Sequence, residues 1–312
     1  IVPAGGVAAG STPPACFLRT HRGKAAPAVR KPMDALLFGT GGTPRSTVGG
    51  HTVGGIARVA ELGLGCMELE FVQSVSMGEA MAARVADAAA RHGITLTVHA
   101  PYYINLNSPE PDKVAASQHR LLRAAQVGRL CGAISVAFHA AFHMGGPPQV
   151  TYRNVRDRLA EVLEVLEKEG NTLWLRPEVM GRTTQFGDIE ELLRLSLELP
   201  RVAPCIDFAH WHARTGRHNT YEEFTEALDT VERALGREAL DNMHIHVAGI
   251  EYGQKGERRH INLLESDFQY RQLMQALCDR RVRGTVICES PNLEEDALLM
   301  QQAYREVCAA AG

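Results

Sequence analysis

The sequence predicts a single (β/α)8 barrel. Two observations lead to this prediction: short apolar runs alternate with longer stretches of helical periodicity, and the alternation repeats eight times after residue 35. Eight strand–helix units joined by right-handed crossovers close most economically as a parallel barrel. A doubly wound open sheet is the competing architecture, but the turn at residues 39–44 lacks the GxGxxG spacing typical of that fold.

The eight predicted strands are apolar runs of five to seven residues. They lie at residues 36–40, 66–71, 94–99, 134–139, 172–178, 202–207, 242–247 and 284–289. A segment with apolar residues at helical spacing follows each of them. The clearest predicted helices are residues 77–91, 113–131, 155–169, 221–235, 268–281 and 294–309. The barrel domain is therefore predicted to cover residues 34–312.

Residues 1–33 differ in composition from the rest of the chain. They are rich in Ala, Pro and Gly, and they contain five basic residues and no acidic residue. We expect a disordered N-terminal extension here, with an organelle transit peptide as the less favoured alternative. The expected location of the protein is the cytoplasm, in association with the nucleoid.

The composition of the whole chain excludes some classes of protein. With 45% hydrophobic and 22% charged residues, it is that of a soluble globular protein, and no apolar run approaches the roughly 20 residues that cross a bilayer. The formal net charge of −3 gives no general support for nucleic-acid binding, so such binding must use a local patch. The seven cysteines are scattered and contain no CxxC pair, which predicts buried thiols and no disulfides.

Potential metal ligands lie at or near the ends of six successive predicted strands. A barrel brings these carboxyl ends to one rim, where side chains from different strands converge. Crowded carboxylates and imidazoles repel or remain unsatisfied unless divalent cations compensate them. The strand ends therefore predict a metal site formed by His99, His139, Glu178, Asp207, His244 and Glu289.

Two further histidines extend this set. His210 follows Asp207 by three residues, and His260 lies in a polar loop after the seventh predicted strand. Nitrogen and oxygen ligands without a thiolate suit zinc, with manganese or iron as alternatives. Because the set exceeds what one ion needs, we expect two or three ions, an arrangement typical of phosphodiester hydrolysis.

Several motifs at these positions resemble those of the endonuclease IV family, the metal-dependent apurinic/apyrimidinic (AP) endonucleases of base-excision repair. They include His-Ala-Pro-Tyr-Tyr-Ile-Asn-Leu at residues 99–106, Phe-His at 138–139, Pro-Glu at 177–178 with Gly181, Cys-Ile-Asp-Phe-Ala-His at 205–210, Met-His at 243–244 and Cys-Glu-Ser-Pro at 288–291. The resemblance implies cleavage of double-stranded DNA 5′ to an abasic site, which leaves a 3′-hydroxyl and a 5′-deoxyribose phosphate. It also implies a monomer.

The resemblance further implies a trinuclear zinc site with Glu178 and Glu289 as catalytic carboxylates. One ion would bind His99, His139 and Glu178, and a second would bind Glu178, Asp207, His244 and Glu289. The third would bind His210 and His260. The family's third-ion motif is Asp-x-His, but Arg258 stands two residues before His260. Either Glu257 reaches this ion through a shifted loop, or Arg258 supplies the positive charge and only two ions bind.

DNA contacts are predicted around the same rim. Tyr102 and Tyr103 occupy the loop that enters the duplex in the family, and packing beneath the rim is the alternative. Phosphate contacts are expected from scattered basic residues, among them Arg258 and Arg259. The extra histidines His143, His212 and His246 are expected to line the pocket or support ligands; of the three, His246 is the best placed, because it shares a strand face with His244.

Two other functions stay open at this stage. A sugar isomerase or epimerase can use the same barrel with metals at its strand ends, and the fold does not separate it from a nuclease. Such an enzyme needs one or two metals and generally fewer histidines, which favours the nuclease. The second alternative is a binder of damaged DNA that does not cleave, which the presence of Arg258 suggests.

Overall fold

The computed structural model describes residues 33–311, and it confirms the predicted (β/α)8 barrel. The described residues form the strands β1 (Leu36–Gly41), β2 (Cys66–Glu70), β3 (Thr95–His99), β4 (Ser135–Phe138), β5 (Ala141–Phe142), β6 (Trp174–Pro177), β7 (Gln185–Phe186), β8 (Cys205–Asp207), β9 (Met243–Val247), β10 (Gly249–Gly253), β11 (Gly256–Ile261) and β12 (Gly284–Cys288). All eight predicted strands are present in the barrel.

The barrel is one parallel sheet with the strand order β6-β4-β3-β2-β1-β12-β9-β8. Isolated bridges from Leu175 to Val202 and from Glu178 to Cys205 join β6 to β8 and close the ring. Two antiparallel pairs, β5 with β7 and β10 with β11, lie outside this sheet. Because their strands follow the carboxyl ends of β4, β6 and β9, both pairs belong to the carboxyl-terminal rim.

Helices follow every barrel strand. They are α1 (Thr52–Glu61), α2 (Glu79–His92), α3 (Pro111–Leu130), α4 (Pro148–Lys168), α5 (Ile189–Glu198), α6 (Phe208–Thr215), α7 (Tyr221–Leu235), α8 (Arg237–Leu240), α9 (Tyr270–Asp279) and α10 (Glu294–Ala311). Helix α7 illustrates why they form: Thr220 caps its first turn, and its buried residues Phe224, Ala227, Leu228 and Val231 recur at helical spacing.

Two helices begin earlier than the periodicity predicts. Helix α3 begins at Pro111 instead of residue 113, and α4 begins at Pro148 instead of residue 155. Proline is unfavourable inside a helix but suits the first turn, where its missing N–H has no intrahelical partner. The added start of α3, Pro111 and Asp112, is polar and escapes an apolar pattern, whereas the added turns of α4 contain the buried Thr151 and Tyr152.

One sequence prediction about the cysteines is wrong. Cys278 in α9 and Cys308 in α10 form a disulfide, with their Cα atoms 5.8 Å apart. The two cysteines are 30 positions apart in the chain, and their pairing depends on the packing of α9 against α10. Four other cysteines, Cys66, Cys131, Cys205 and Cys288, are buried free thiols as predicted.

Two further predictions concern the ends of the chain and membranes. Apart from Met33, the predicted N-terminal extension lies outside the described residues. Within residues 33–311, no helix is both long enough and apolar enough to span a bilayer.

Candidate metal centre

Nine carboxylate and imidazole side chains converge at the carboxyl-terminal rim of the barrel. Seven come from the ends of barrel strands or the residues that follow them, and two come from β11. We call this set the rim cluster; it consists of His99, His139, Glu178, Asp207, His210, His246, Glu257, His260 and Glu289. Within it, ligand atoms fall into three adjoining groups.

The first group contains His99, His139 and Glu178, as the sequence predicts. The Nε2 atoms of His99 and His139 lie 3.1 and 3.3 Å from Glu178 Oε2. His99 Nδ1 donates to the Ala100 carbonyl at 2.8 Å, so Nε2 is the nitrogen that faces the carboxylate and would bind a cation. This arrangement can hold one cation.

The second group contains Glu178, Asp207, His246 and Glu289. The sequence prediction placed His244 here, but the structure places His246 here instead. The register of β8 and β9 explains the difference: His246 pairs with Asp207, whereas His244 pairs with Cys205, two residues deeper in the barrel. Both histidines face inward because strand side chains alternate, and only the pairing decides which of them reaches the rim.

Helix α6 places His210 beside Asp207. Asp207 is the N-cap of this helix, and its Oδ1 accepts the backbone N–H of His210 at 2.7 Å. The cap leaves Asp207 Oδ2 directed toward His210 Nδ1, 3.2 Å away. The Asp-x-x-His spacing is therefore both a helix cap and a pair of candidate ligands.

The third group contains Asp207, His210 and His260 and joins α6 to the β10–β11 hairpin, where Glu257 lies beside it. His210 Nε2 lies 3.1 Å from His260 Nε2 and 3.5 Å from Glu257 Oε2. Arg258 points away from the cluster, with an exposed side chain that pairs with Glu251 at 3.3 Å. Of the two alternatives for the third-ion motif, the geometry therefore matches the one that uses Glu257.

A register shift in the hairpin brings Glu257 into this position. Glu251 pairs with Arg259, but the next residue, Tyr252, pairs with Glu257, so Arg258 is the extra residue of a β-bulge. Gly181 provides the space, because a Cβ there would lie 2.6 Å from the Glu257 Cβ. The Glu257 backbone N–H also donates to the Gly181 carbonyl at 3.0 Å.

Sequence reasoning missed two carboxylates at the end of β2, Glu68 and Glu70. They form a further group with Glu289. Both Glu70 carboxylate oxygens are buried without a hydrogen-bond partner among the described residues. The second predicted strand ends at the apolar Phe71, and the signal for the two carboxylates is the spacing of Glu68 and Glu70 on one face of this strand.

A layer of hydrogen-bonded polar residues lies just inside the rim cluster. We call it the inner polar layer and define it as Glu68, Thr97, Ser135 and His244, all of which are buried. Thr97 donates to Glu68 Oε2 at 2.7 Å, and His244 Nδ1 lies 3.1 Å from Ser135 Oγ. His244 also forms a group with Cys205 and His246.

Burial and neighbouring charges shift the pKa values of several side chains in the rim cluster. Burial, together with the neighbouring Glu178 and Asp207, raises the pKa of Glu289 to about 8. Burial likewise raises the pKa of Asp207 to about 6. Although burial lowers it, the pKa of His99 is raised to about 10 by Glu178 and Glu70. The cluster thus holds protons at neutral pH that a divalent cation would displace.

The donor atoms fit such a cation. Glu178 Oε1, Asp207 Oδ2 and His246 Nδ1 are buried without hydrogen-bond geometry to any described residue. Imidazole nitrogens nevertheless approach the two carboxylate oxygens, with His210 Nδ1 at 2.9 Å from Glu178 Oε1. Buried polar atoms that approach each other without hydrogen bonding suit ligands around an ion.

Exposed aromatic and basic residues border the cluster. The Tyr102 ring stacks on His139 with centroids 5.2 Å apart and is 45% exposed, while Tyr103 is 65% exposed. Packing of these tyrosines beneath the rim, the alternative considered from the sequence, is therefore not what the structure has. Arg258 and Arg259 are exposed and pair with Glu251.

The remaining histidines lie outside the candidate groups. His143 Nε2 is 4.0 Å from Glu191 Oε1. His212 in α6 is buried, with Nδ1 2.9 Å from the Arg217 carbonyl and Nε2 3.5 Å from Asp267. Of the three extra histidines considered from the sequence, only His246 joins the rim cluster.

Solved structures with two different activities share this fold. Endonuclease IV from Thermus thermophilus superposes with a TM-score of 0.65 at 20% identity, covering 87% of this chain and 99% of that one. A D-tagatose 3-epimerase-like protein superposes with a TM-score of 0.66 at 17% identity, covering 83% of this chain and 97% of that one. At these identities the likeness concerns the fold alone.

Sequence relatives give a closer comparison. An uncharacterised protein of Methanocaldococcus jannaschii is 44% identical over 273 residues, covering 87% of this chain and 98% of the relative. A probable endonuclease 4 of Mycoplasma genitalium is 26% identical over 217 residues, covering 68% of this chain and 71% of the relative. The family model described as xylose isomerase-like TIM barrel matches residues 56–307. Together with the closed eight-stranded barrel, this match shows that the chain belongs to the xylose isomerase-like TIM barrel family.

Proposed function

We propose that this protein is a metal-dependent AP endonuclease of base-excision repair. It would hydrolyse the phosphodiester bond 5′ to an abasic site in DNA and leave a 3′-hydroxyl and a 5′-deoxyribose phosphate. The observation that carries the proposal is the adjoining of three ligand groups, two of which share Glu178. Clustered ions suit in-line displacement at phosphorus, where both the attacking and the leaving oxygen need stabilisation.

The rim cluster supplies ligands for up to three ions. The first would bind His99, His139 and Glu178; the second would bind Glu178, Asp207, His246 and Glu289; the third would bind His210, Glu257 and His260. We propose zinc, because the donors are nitrogen and oxygen atoms in closely spaced groups. Bound there, the ions would lower the pKa of water and offset the charge of the phosphate.

The protein's own contribution is to orient these donors before substrate binds. The Ala100 carbonyl holds the His99 ring, and the Val179 carbonyl, 3.2 Å from His210 Nδ1, holds the His210 ring. His99 Nε2 faces Glu178, and His210 Nε2 faces His260 and Glu257, while His210 Nδ1 also lies 2.9 Å from Glu178 Oε1. Glu178 connects the first two groups, so its removal would disturb both, and Glu289 closes the second group on the β12 side.

Duplex DNA would lie across the rim. Tyr103 is exposed and follows Tyr102 in the chain, and the partly exposed Tyr102 ring stacks on His139 of the first group. Aromatic side chains in this position can enter a duplex at a gap in the base stack, which an abasic site provides. Arg258 and Arg259 on the hairpin are exposed and would contact phosphates, exchanging their ion pairs with Glu251 for the DNA backbone.

A sugar epimerase is the second candidate function. The group of Glu178, Asp207, His246 and Glu289 could by itself serve an enzyme with one ion, and an epimerase-like protein shares the fold. His99, His139, His210 and His260 favour the nuclease, because a single-ion site has no use for four additional imidazoles that converge on it.

Cleavage of a defined substrate tests the proposal. The purified protein would be incubated with a 5′-labelled duplex that contains one abasic-site analogue, with and without chelator treatment, and its metals would be measured in parallel. We expect a chelator-sensitive cut immediately 5′ to the lesion. Bound metal without a cut would contradict the nuclease; a retained affinity for the lesion would then identify a non-cleaving binder, and epimerase assays would test the alternative.

A further inference from the structure

The His246 ring connects the rim cluster with the inner polar layer. On the rim side, His246 Nδ1 lies 3.3 Å from Glu289 Oε1 and 3.8 Å from Glu178 Oε1. On the inner side, His246 Nε2 lies 2.9 Å from Glu68 Oε1 and 3.2 Å from His244 Nε2. The ring is completely buried, so protein groups alone decide which nitrogen carries its proton.

Glu68 is held through one carboxylate oxygen, Oε2, while Oε1 lies close to His246 Nε2 without the geometry of a hydrogen bond. Thr97 Oγ1 donates to Glu68 Oε2 at 2.7 Å, and His244 Nε2 lies 3.0 Å from the same oxygen. Ser135 Oγ lies 3.1 Å from the other nitrogen of His244. Because β2, β3, β4 and β9 each contribute one of these residues, four strands fix the carboxylate beneath His246.

We propose that Glu68 is a positioning residue that keeps the His246 proton on Nε2 and thereby directs the Nδ1 lone pair to the second ion. This inference rests on the proposed function, since it takes His246 as a ligand. A carboxylate that accepts from the free nitrogen of a metal-bound histidine fixes the tautomer and the ring orientation, and it increases the basicity of the ligand. Sequence reasoning did not single out Glu68, and its position is explained by this role.

Zinc affinity measures the effect of this contact without relying on cleavage. Zinc would be titrated into the chelator-treated full-length protein in competition with a chromophoric chelator, for the wild type and for Glu68→Gln. The amide keeps the volume but removes the negative charge opposite His246 Nε2. We expect the weakening of zinc binding typical of lost supporting contacts, about 10-fold to 100-fold.

Asp296→Asn is the matched control. Asp296 is also a buried carboxylate, and it accepts from the Leu263 backbone N–H at 2.7 Å and from Asn292 at 2.9 Å, outside both polar sets. This variant should lower the melting temperature and leave zinc affinity as in the wild type. A loss of zinc affinity in Glu68→Gln but not in Asp296→Asn would separate positioning from general destabilisation.

Nitrogen NMR of the wild type tests the tautomer directly, even if Glu68→Gln fails to fold. In the ¹⁵N-histidine-labelled, ¹¹³Cd-loaded protein, we expect His246 Nδ1 to couple to cadmium and Nε2 to carry the proton. Coupling through Nε2 would overturn the inference and indicate an ion beside Cys205 and His244. Unchanged zinc affinity in Glu68→Gln would overturn the inference alone, whereas a wild type that binds no divalent ion would overturn the proposed function as well.

Discussion

The inner polar layer and the rim cluster lie next to each other in the barrel and both contain histidine and glutamate, yet their environments differ. In the inner layer, Thr97 donates to Glu68 Oε2, and Ser135 contacts His244. In the rim cluster, Glu178 Oε1 and Asp207 Oδ2 approach imidazoles without hydrogen-bond geometry, as Glu68 Oε1 does beside His246, but no hydroxyl group of a described residue contacts Glu178 or Asp207. Buried polar groups need partners, so hydroxyl groups serve the inner layer, and ions would serve the rim cluster.

This comparison shows that an inward-facing histidine or carboxylate is not by itself a metal ligand. His244 and His246 are two residues apart on one face of β9, and their surroundings differ. The depth of each histidine below the rim and the presence of hydroxyl donors are the reasons for proposing different roles for them.

Glu289→Gln tests the rim cluster and should have the largest effect on cleavage. The substitution removes a carboxylate from the second group without changing side-chain volume, so the fold should remain while cleavage falls by at least about 10³-fold, or about 4 kcal/mol of transition-state stabilisation. Single-turnover cleavage of the abasic duplex measures the effect, and circular dichroism checks the fold. Turnover close to that of the wild type would remove Glu289 from the site.

Glu257→Gln and Arg258→Ala form a matched pair of neighbouring variants. The β-bulge turns Glu257 toward His210 and Arg258 away from it. Only Glu257→Gln should therefore lower the affinity for the third ion, by at least about tenfold. Arg258→Ala should keep the full metal content and reduce only the salt-dependent part of DNA affinity. Metal analysis after dialysis distinguishes them, and the reverse pattern would favour Arg258 as the substitute for the third ion.

The pH dependence of metal binding follows from the raised pKa values. In the metal-free protein, the Glu289 pKa of about 8 and the His99 pKa of about 10 mean that both groups hold protons at pH 7. A cation must displace these protons, so affinity should rise with pH, by about tenfold per pH unit for each proton released. Competition titrations from pH 6 to 8 measure the slope; an affinity that falls with rising pH would contradict this charge balance.

Tyr103→Ala should produce the smallest change and leave both polar layers intact. Tyr103 is largely exposed, so the substitution should not alter stability or metal content. We expect affinity for the abasic duplex to fall by about fivefold to tenfold, the loss of one aromatic contact. Binding assays measure the affinity of the wild type and the variant for the abasic duplex and for an intact duplex. An equal loss of affinity for both duplexes would show that Tyr103 contacts DNA without recognising the lesion.

Much of the rim cluster was predictable because strand ends have a defined place in a barrel. His99, His139, Glu178, Asp207 and Glu289 were each identified from the sequence, and the structure brings them together. Their role as ligands is a proposal. The presence of His246 instead of His244 in the second group was not predictable, because an apolar run does not reveal the register of a strand against its neighbour.

Glu257 and Glu68 were harder to place, for different reasons. Glu257 enters the cluster through a β-bulge, which depends on how β10 and β11 pair and on the space left by Gly181. Glu68 lies within a strand, where its importance depends on residues from three other strands. The disulfide between Cys278 and Cys308 likewise requires knowledge of helix packing.

The sequence by itself determined the eight strand–helix units, the barrel they form and the rim where polar residues collect. It did so because periodicity and chain order are local properties that the barrel topology converts into position. Only the tertiary structure decided the register of β8 against β9, the bulge that turns Glu257 inward and the partners of each buried polar atom. These depend on contacts between residues far apart in the chain, and in this barrel they separate candidate ligands from supporting residues.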